Sequence, residues 1–199
     1  MYTYFNGEKY TGGFVNGLAD GQGTFSYEDG SIYEGDTISG IWHGQGKYIL
    51  ANGDKYEGDF FEWQLTGKGI FTWADGDKYE GDFINGNRSG KGSFTWAESK
   101  NKYEGDFVDS KRTGKGTFTW ASGTKYTGDF VDGELAGNGK VIYTNGNIYE
   151  GDWVDGKRTG KGIFTWSNGD VYEGDFIDGE KSGKGVETLD NGMTYKGSF

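Results

Sequence analysis

The chain has no cysteine, no proline and a single histidine, His43. Without cysteine there is no disulfide, no thiolate nucleophile and no thiolate metal site. One histidine is too few for an imidazole metal cluster, and any serine triad would have to use His43, which sits in the loop "SGIWHGQG". There is no run of about 18 apolar residues, so no membrane-spanning helix is expected. The N-terminal "MYTYFNGEKY" has neither a basic n-region nor an apolar h-region, so no signal peptide is expected and the cytoplasm is favoured. Positive charge is also short. The net charge of −11 disfavours nucleic acid, and weighs against anionic membranes, as partners of a broad basic face.

What is present is glycine, 40 residues in 199, together with 18% aromatic residues. Glycine-rich chains without aromatics stay disordered, whereas this one has apolar surface to bury. Both residue types fall on a repeat. Taking the tyrosine of each Y-x-G-x-F segment as position 0, it occurs at Tyr10, Tyr33, Tyr56, Tyr79, Tyr103, Tyr126, Tyr149, Tyr172 and Tyr195. The spacing is 23 residues, and 24 between Tyr79 and Tyr103. Glycine follows at position 2, Gly-x-Gly at 11 and 13, mostly aromatic residues at 15 and 17, and a turn glycine at 20. Residues 1–9 match the end of a preceding repeat, so residues 1–199 read as one array.

Each repeat reads as two short strands. "KYEGDF" and "GKGIFTW" both alternate with period 2. Asn-Gly and Asp-Gly turn dipeptides lie between them. A hairpin pairing whose positions sum to 15 sets tyrosine opposite 15, glycine 2 opposite glycine 13, and the position 4 aromatic opposite glycine 11. Across the second turn a sum near 40 sets position 17 opposite the next tyrosine. Rings would then lie over bare glycine backbone, which lets a sheet with no second layer bury apolar area. The same register predicts exposed pairs Asp59–Lys68, Asp82–Lys91, Asp106–Lys115, Asp152–Lys161 and Asp175–Lys184 on the opposite face. Two repeats approach the length of a propeller blade, but odd and even repeats do not differ, so the repeating object is one hairpin.

Tyr-x-Gly-x-Phe, the turn glycine, Gly-x-Gly and the second turn glycine at this spacing resemble MORN repeats over essentially the whole chain. The resemblance implies an all-β fold: an elongated single-sheet solenoid of about nine antiparallel hairpins, twisted into a superhelical trough. It also implies protein–protein contact, scaffolding, dimerisation or lipid binding rather than catalysis. MORN arrays accompany kinase, methyltransferase or membrane-anchor modules, and none is present here. Several residues depart from the pattern. Thr37 replaces the position 4 aromatic, Trp63 and Ser110 replace the loop glycine, and "AESKNK" lengthens one turn, which puts local hairpin geometry in question at each. Glu187 replaces a position 15 aromatic, predicting a C-terminal edge that tapers into solvent.

Chemistry is otherwise sparse. "GKG" lacks the P-loop spacing. The acidic residues at positions 1 and 3 lie in strands with lysines opposite, so no calcium site, metal or cofactor is expected. The informative loops are "GLAD", "GIWH" and "WQLT" of the first three repeats. They would set Leu18, Ile41, Trp42, Phe61, Trp63 and Leu65 along one edge, as a protein contact site or as local packing. The leading reading is a non-enzymatic protein-binding or scaffolding module, with association of two arrays through their terminal strands also open. A phospholipid head-group binder using Arg88, Lys111, Arg112, Lys157 and Arg158 is an alternative, and a carbohydrate-binding aromatic trough a second.

Overall fold

A computed structural model describes all 199 residues, Met1–Phe199. The chain is all β, built of antiparallel hairpins in a single layer, and it falls into two compact units. The first unit comprises Met1–Ser99 with Val108–Ser110. It holds β1 (Tyr2–Thr3), β2 (Lys9–Val15), β3 (Leu18–Ser26), β4 (Ile32–Ile38), β5 (Ile41–Ile49), β6 (Lys55–Phe61), β7 (Gln64–Thr72), β8 (Lys78–Ile84) and β9 (Asn87–Thr95). The second unit comprises Lys100–Phe107 with Lys111–Phe199. It holds β10 (Lys102–Val108, to Phe107), β11 (Lys111–Thr119), β12 (Lys125–Val131), β13 (Glu134–Ile142), β14 (Ile148–Val154), β15 (Lys157–Thr165), β16 (Val171–Ile177), β17 (Glu180–Thr188) and β18 (Thr194–Ser198). Within each unit, strands pair antiparallel with their neighbours in chain order.

The hairpin register starts as the sequence predicts and then departs from it. Tyr126 faces Val141 and Gly128 faces Gly139, but Asp129 faces Ala136, Phe130 faces Leu135 and Val131 faces Glu134. The position sum drops from 15 to 13 because the first turn has only two residues. Asp132 and Gly133 close it at φ 49° and 95°, the two left-handed residues of a type I′ turn. The two residues gained on the second strand form a bulge at Gly137 (φ 56°) and Asn138. The Asp129 carboxylate accepts the Asn138 N–H at 3.2 Å, which occupies a donor the bulge would leave bare.

The second turn also differs from expectation. Val141, at position 15, faces Tyr149, and Gly137 faces Trp153. Position 17 opens the turn instead of pairing with the next tyrosine: Tyr143 N–H donates to Asn147 O (2.9 Å) and Gly146 N–H returns to Tyr143 O (3.0 Å). A type I turn with a left-handed glycine gives this closure. The two first turns that lack glycine keep the type I′ geometry. Glu62–Trp63 and Asp109–Ser110 both hold positive φ, and Trp63 at 70° is a bulky side chain in a region that costs about 1–2 kcal/mol.

Four of the five predicted aspartate–lysine pairs are corrected by the bulge. Asp59, Asp82, Asp152 and Asp175 accept the backbone N–H, not the ammonium, of Lys68, Lys91, Lys161 and Lys184. The ammonium groups of Lys68, Lys115 and Lys161 reach the following repeat, pairing with Asp82, Asp129 and Asp175 at 2.5, 2.7 and 2.5 Å. Each such aspartate thus latches its own bulge and ties two hairpins together. These hydrogen bonds, led by that of the lysine, hold the Asp129 and Asp175 carboxyls below the usual carboxylate range.

Candidate functional site

The ring face of the sheet is the core. The eight position 0 tyrosines from Tyr10 to Tyr172 are fully buried. Tyr33 lies over Gly35 and Gly46, where an added Cβ would come within 2.7 Å of its ring or hydroxyl. Tyr56 donates its hydroxyl to Asp59 O (3.0 Å) and Thr66 O (3.2 Å). Phenylalanines stand edge-on at both flanks, with Phe60 and Phe83 each 5.1 Å from Tyr56 at 89° and 86°. Tyrosine rings spent in this way present no free face to a sugar.

The MORN repeat family model matches eight segments: 10–32, 33–55, 56–78, 79–99, 103–125, 126–148, 149–171 and 172–194. The chain belongs to the MORN-repeat family. MORN repeats are in general protein- or membrane-interaction modules. No curated protein matches the sequence. Among solved structures, the TCP10 domain of Danio rerio CPAP, in complex with a peptide of Danio rerio STIL, is similar with a TM-score of 0.56 at 11% identity, over 96% of this chain and 84% of that one. The TCP10c domain of Drosophila melanogaster Sas-4 is similar with a TM-score of 0.43 at 14% identity, over 96% of this chain and 99% of that one. At these identities the CPAP likeness speaks to fold alone.

The MORN frame decides where the six apolar candidates lie. Because the first turn is so short, positions 8 and 9 belong to strands and alternate in facing. Leu18, Ile41 and Phe61 therefore lie on the charged face, while Trp42 and Leu65 lie on the ring face, joined by Trp63 from its turn. Trp42 was expected in an exposed loop; it is only 7% exposed. It stacks on Tyr33 (4.3 Å, 7°), opposite Thr37, whose small side chain leaves room for it. Thr37 is buried as well, and its hydroxyl donates to Gly21 O at 2.8 Å. Missing aromatic and extra tryptophan are two halves of one substitution.

On the charged face, sequence reasoning missed Val15 and Ile38. Val15 pairs across its hairpin with Leu18, and Ile38 with Ile41. Phe61 follows on the next strand, 5.1 Å from the His43 ring. Val15, Leu18, Ile38 and Phe61 are all about half exposed, so β2 to β6 carry an apolar ridge, with Asp20 beside Ile38 and His43 beside Phe61 on the strands between. The signal was present in the sequence: position 5 is apolar in every complete repeat, from Val15 to Ile177. In the second unit the matching pairs are Val131–Glu134, Val154–Lys157 and Ile177–Glu180, which break the ridge with charge.

None of the five basic candidates is a loose loop cation. Arg88 lies over Trp73, Tyr79 and Phe94 at 5.1–5.8 Å and donates to Ser110 O at 2.9 Å. Arg112 covers Tyr103, Phe118 and Phe130 and donates to Gly133 O. Arg158 covers Tyr149, Phe164 and Phe176 and donates to Gly179 O. Lys111 and Lys157 pair with Asp132 and Asp178 at 2.8 and 2.9 Å. In the last complete repeat, Lys181 covers Trp166 and Tyr172 and pairs with Glu187 at 2.7 Å. Glu187 is therefore a half-buried partner on the ring face rather than the solvated taper expected there. No three His, Asp or Glu side chains converge to hold a metal ion.

Proposed function

We propose that this MORN array is a non-catalytic protein-binding module that docks a partner on the apolar ridge of its first unit. The observation that carries the reading is the ridge itself, Val15, Leu18, Ile38, Ile41 and Phe61 on five consecutive strands, in which Leu18 and Ile41 stand where the second unit has glutamate or lysine. Exposed apolar side chains gathered on one face of a chain otherwise rich in charge mark an interaction surface. The complex of the CPAP TCP10 domain with a STIL peptide is a precedent for a domain of similar fold with a peptide partner.

The test replaces Leu18→Glu and Ile41→Lys together, the residue types that the same position carries at Glu134 and Lys157. Such a chain keeps its frame. The expected result is that partners captured from native lysate by the parent array fall by about tenfold or more, and that a photo-crosslinker at position 61 joins those same partners. Capture unchanged by the double substitution, with the thermal midpoint also unchanged, overturns the ridge as the docking surface.

A further inference from the structure

A cleft of about 650 Å³ opens on the first unit. Its walls are the rings of Tyr27, Trp42, Tyr48 and Trp63, and its rim carries Glu8, Glu28 and Asp29. Trp42 anchors the walls, with Tyr48 at 4.7 Å, Trp63 at 5.2 Å and Tyr27 at 5.9 Å between centroids. Its indole N–H donates to the Tyr27 hydroxyl at 3.0 Å, which fixes both rings. Asp29 accepts the Ser31 hydroxyl (2.7 Å) and N–H (2.8 Å), which hold its carboxyl below the usual carboxylate range. None of the three rim carboxylates forms an ion pair within the chain.

Aromatic walls with a negative rim attract an organic cation, and the chain demonstrates the chemistry on itself. Arg88, Arg112, Arg158 and Lys181 occupy position 9 of their repeats, and each lies over three rings. In the second repeat Trp42 holds position 9, so the internal cation is replaced by another ring. Trp63 then adds a half-exposed indole where six other repeats have glycine. Rings have accumulated here and the cation has been left out. We infer that the cleft receives an arginine side chain presented by a protein partner, its guanidinium stacked on the aromatic walls and paired with the rim carboxylates. The inference rests on the protein-binding reading above and names one chemical feature of the partner.

Arginine is chosen over lysine for two reasons. Three of the four internal cations are arginines. A planar guanidinium also stacks on indole while its fork of N–H donors reaches several carboxylates together. A nucleic acid or an anionic head group would bring phosphate against the three rim carboxylates and is repelled.

The test needs no partner. N-acetyl-arginine methylamide is titrated into protein carrying ¹⁵N-labelled indoles, with the citrulline and lysine counterparts as separate arms. The expected result is a saturable shift of the Trp42 and Trp63 indole resonances, with a dissociation constant on the order of 1–10 mM. Citrulline, neutral and of equal shape, should give no saturation, and lysine should bind more weakly. Trp63→Gly restores the glycine of the other repeats, so the fold is kept, and it should weaken the arginine response on Trp42 by about tenfold. Glu28→Gln with Asp29→Asn should weaken it as well, most at low salt. The inference is overturned by the absence of a saturable shift, or by equal binding of citrulline or lysine. If arginine fails here while the Leu18→Glu, Ile41→Lys pair still abolishes capture, only the cleft assignment falls and the ridge stands.

Discussion

The two units share one frame and differ mainly in two rows of side chains. On the ring face, position 9 reads Ala19, Trp42, Leu65 and Arg88 in the first unit, and Arg112, Leu135, Arg158 and Lys181 in the second. On the charged face, position 8 reads Leu18, Ile41, Gln64 and Asn87, against Lys111, Glu134, Lys157 and Glu180. The second unit covers its tyrosines mostly with its own cations and closes its hairpin ends with charge, including Lys111–Asp132 and Lys157–Asp178. The first unit covers them mostly with neutral side chains and leaves apolar groups and an aromatic cleft open. Tyrosine, glycine and phenylalanine hold each hairpin to the next, so they cannot vary without cost. Positions 8 and 9 tolerate residues of quite different chemistry, and partner-specific chemistry can therefore enter there.

The largest expected difference between the units is in what covers the tyrosine. Trp42→Ala removes a buried indole stacked on Tyr33 and should cost about 3–5 kcal/mol in denaturant unfolding. Arg158→Ala removes a cation that is half-buried over three rings and should cost only about 1–2 kcal/mol. Restoring a phenylalanine at Thr37 should rescue Trp42→Ala in part, since Thr37 and Trp42 share one space across their hairpin. Equal losses at Trp42 and Arg158, or no rescue, would erase the distinction drawn between the two kinds of cover.

Most of the frame was legible in the sequence. The spacing, the two strands per repeat and the tyrosine laid over a glycine pair all follow from alternation and from the absence of a Cβ where a ring must lie. Two things were not legible. A hairpin read as a simple ladder gives no sign that Gly137 and its equivalents leave the ladder, because an aspartate at position 3 latched to a backbone N–H looks the same in sequence as one paired with lysine. That hidden bulge moved Leu18 and Trp42 out of loops and set them on opposite faces. The candidate site was thus found as a set of misfit residues, Trp42 and Trp63 above all, while its division into ridge and cleft needed the register. Val15 and Ile38 were overlooked for a simpler reason: a residue apolar in every repeat reads as frame, although here its side chain is exposed.

The smallest effect concerns the tyrosine hydroxyls, where the two kinds of cover leave opposite electrostatic marks. Burial pushes Tyr149 up to about 12, with the Arg158 guanidinium restraining the rise and Asp152 adding to it. Burial pushes Tyr126 up as well, and Asp129 adds to the rise, but Leu135 stands where an arginine would oppose it. An unfolded tyrosine ionises near 10. Each raised tyrosine therefore contributes stability that is fully present below pH 10 and is lost as pH climbs through its folded value, since the folded state keeps the proton longer. Alkaline unfolding should fall in this window, accompanied by tyrosinate absorbance at about 295 nm. Arg158→Leu should move the Tyr149 titration upward, and Leu135→Arg should move that of Tyr126 downward, read by the ¹³C shift of each phenolic carbon. The two shifts should be opposite in sign and confined to the ring beneath the substituted side chain. Movement of both tyrosines in the same direction would mean that burial alone sets these values and that the cation at position 9 serves packing without electrostatics.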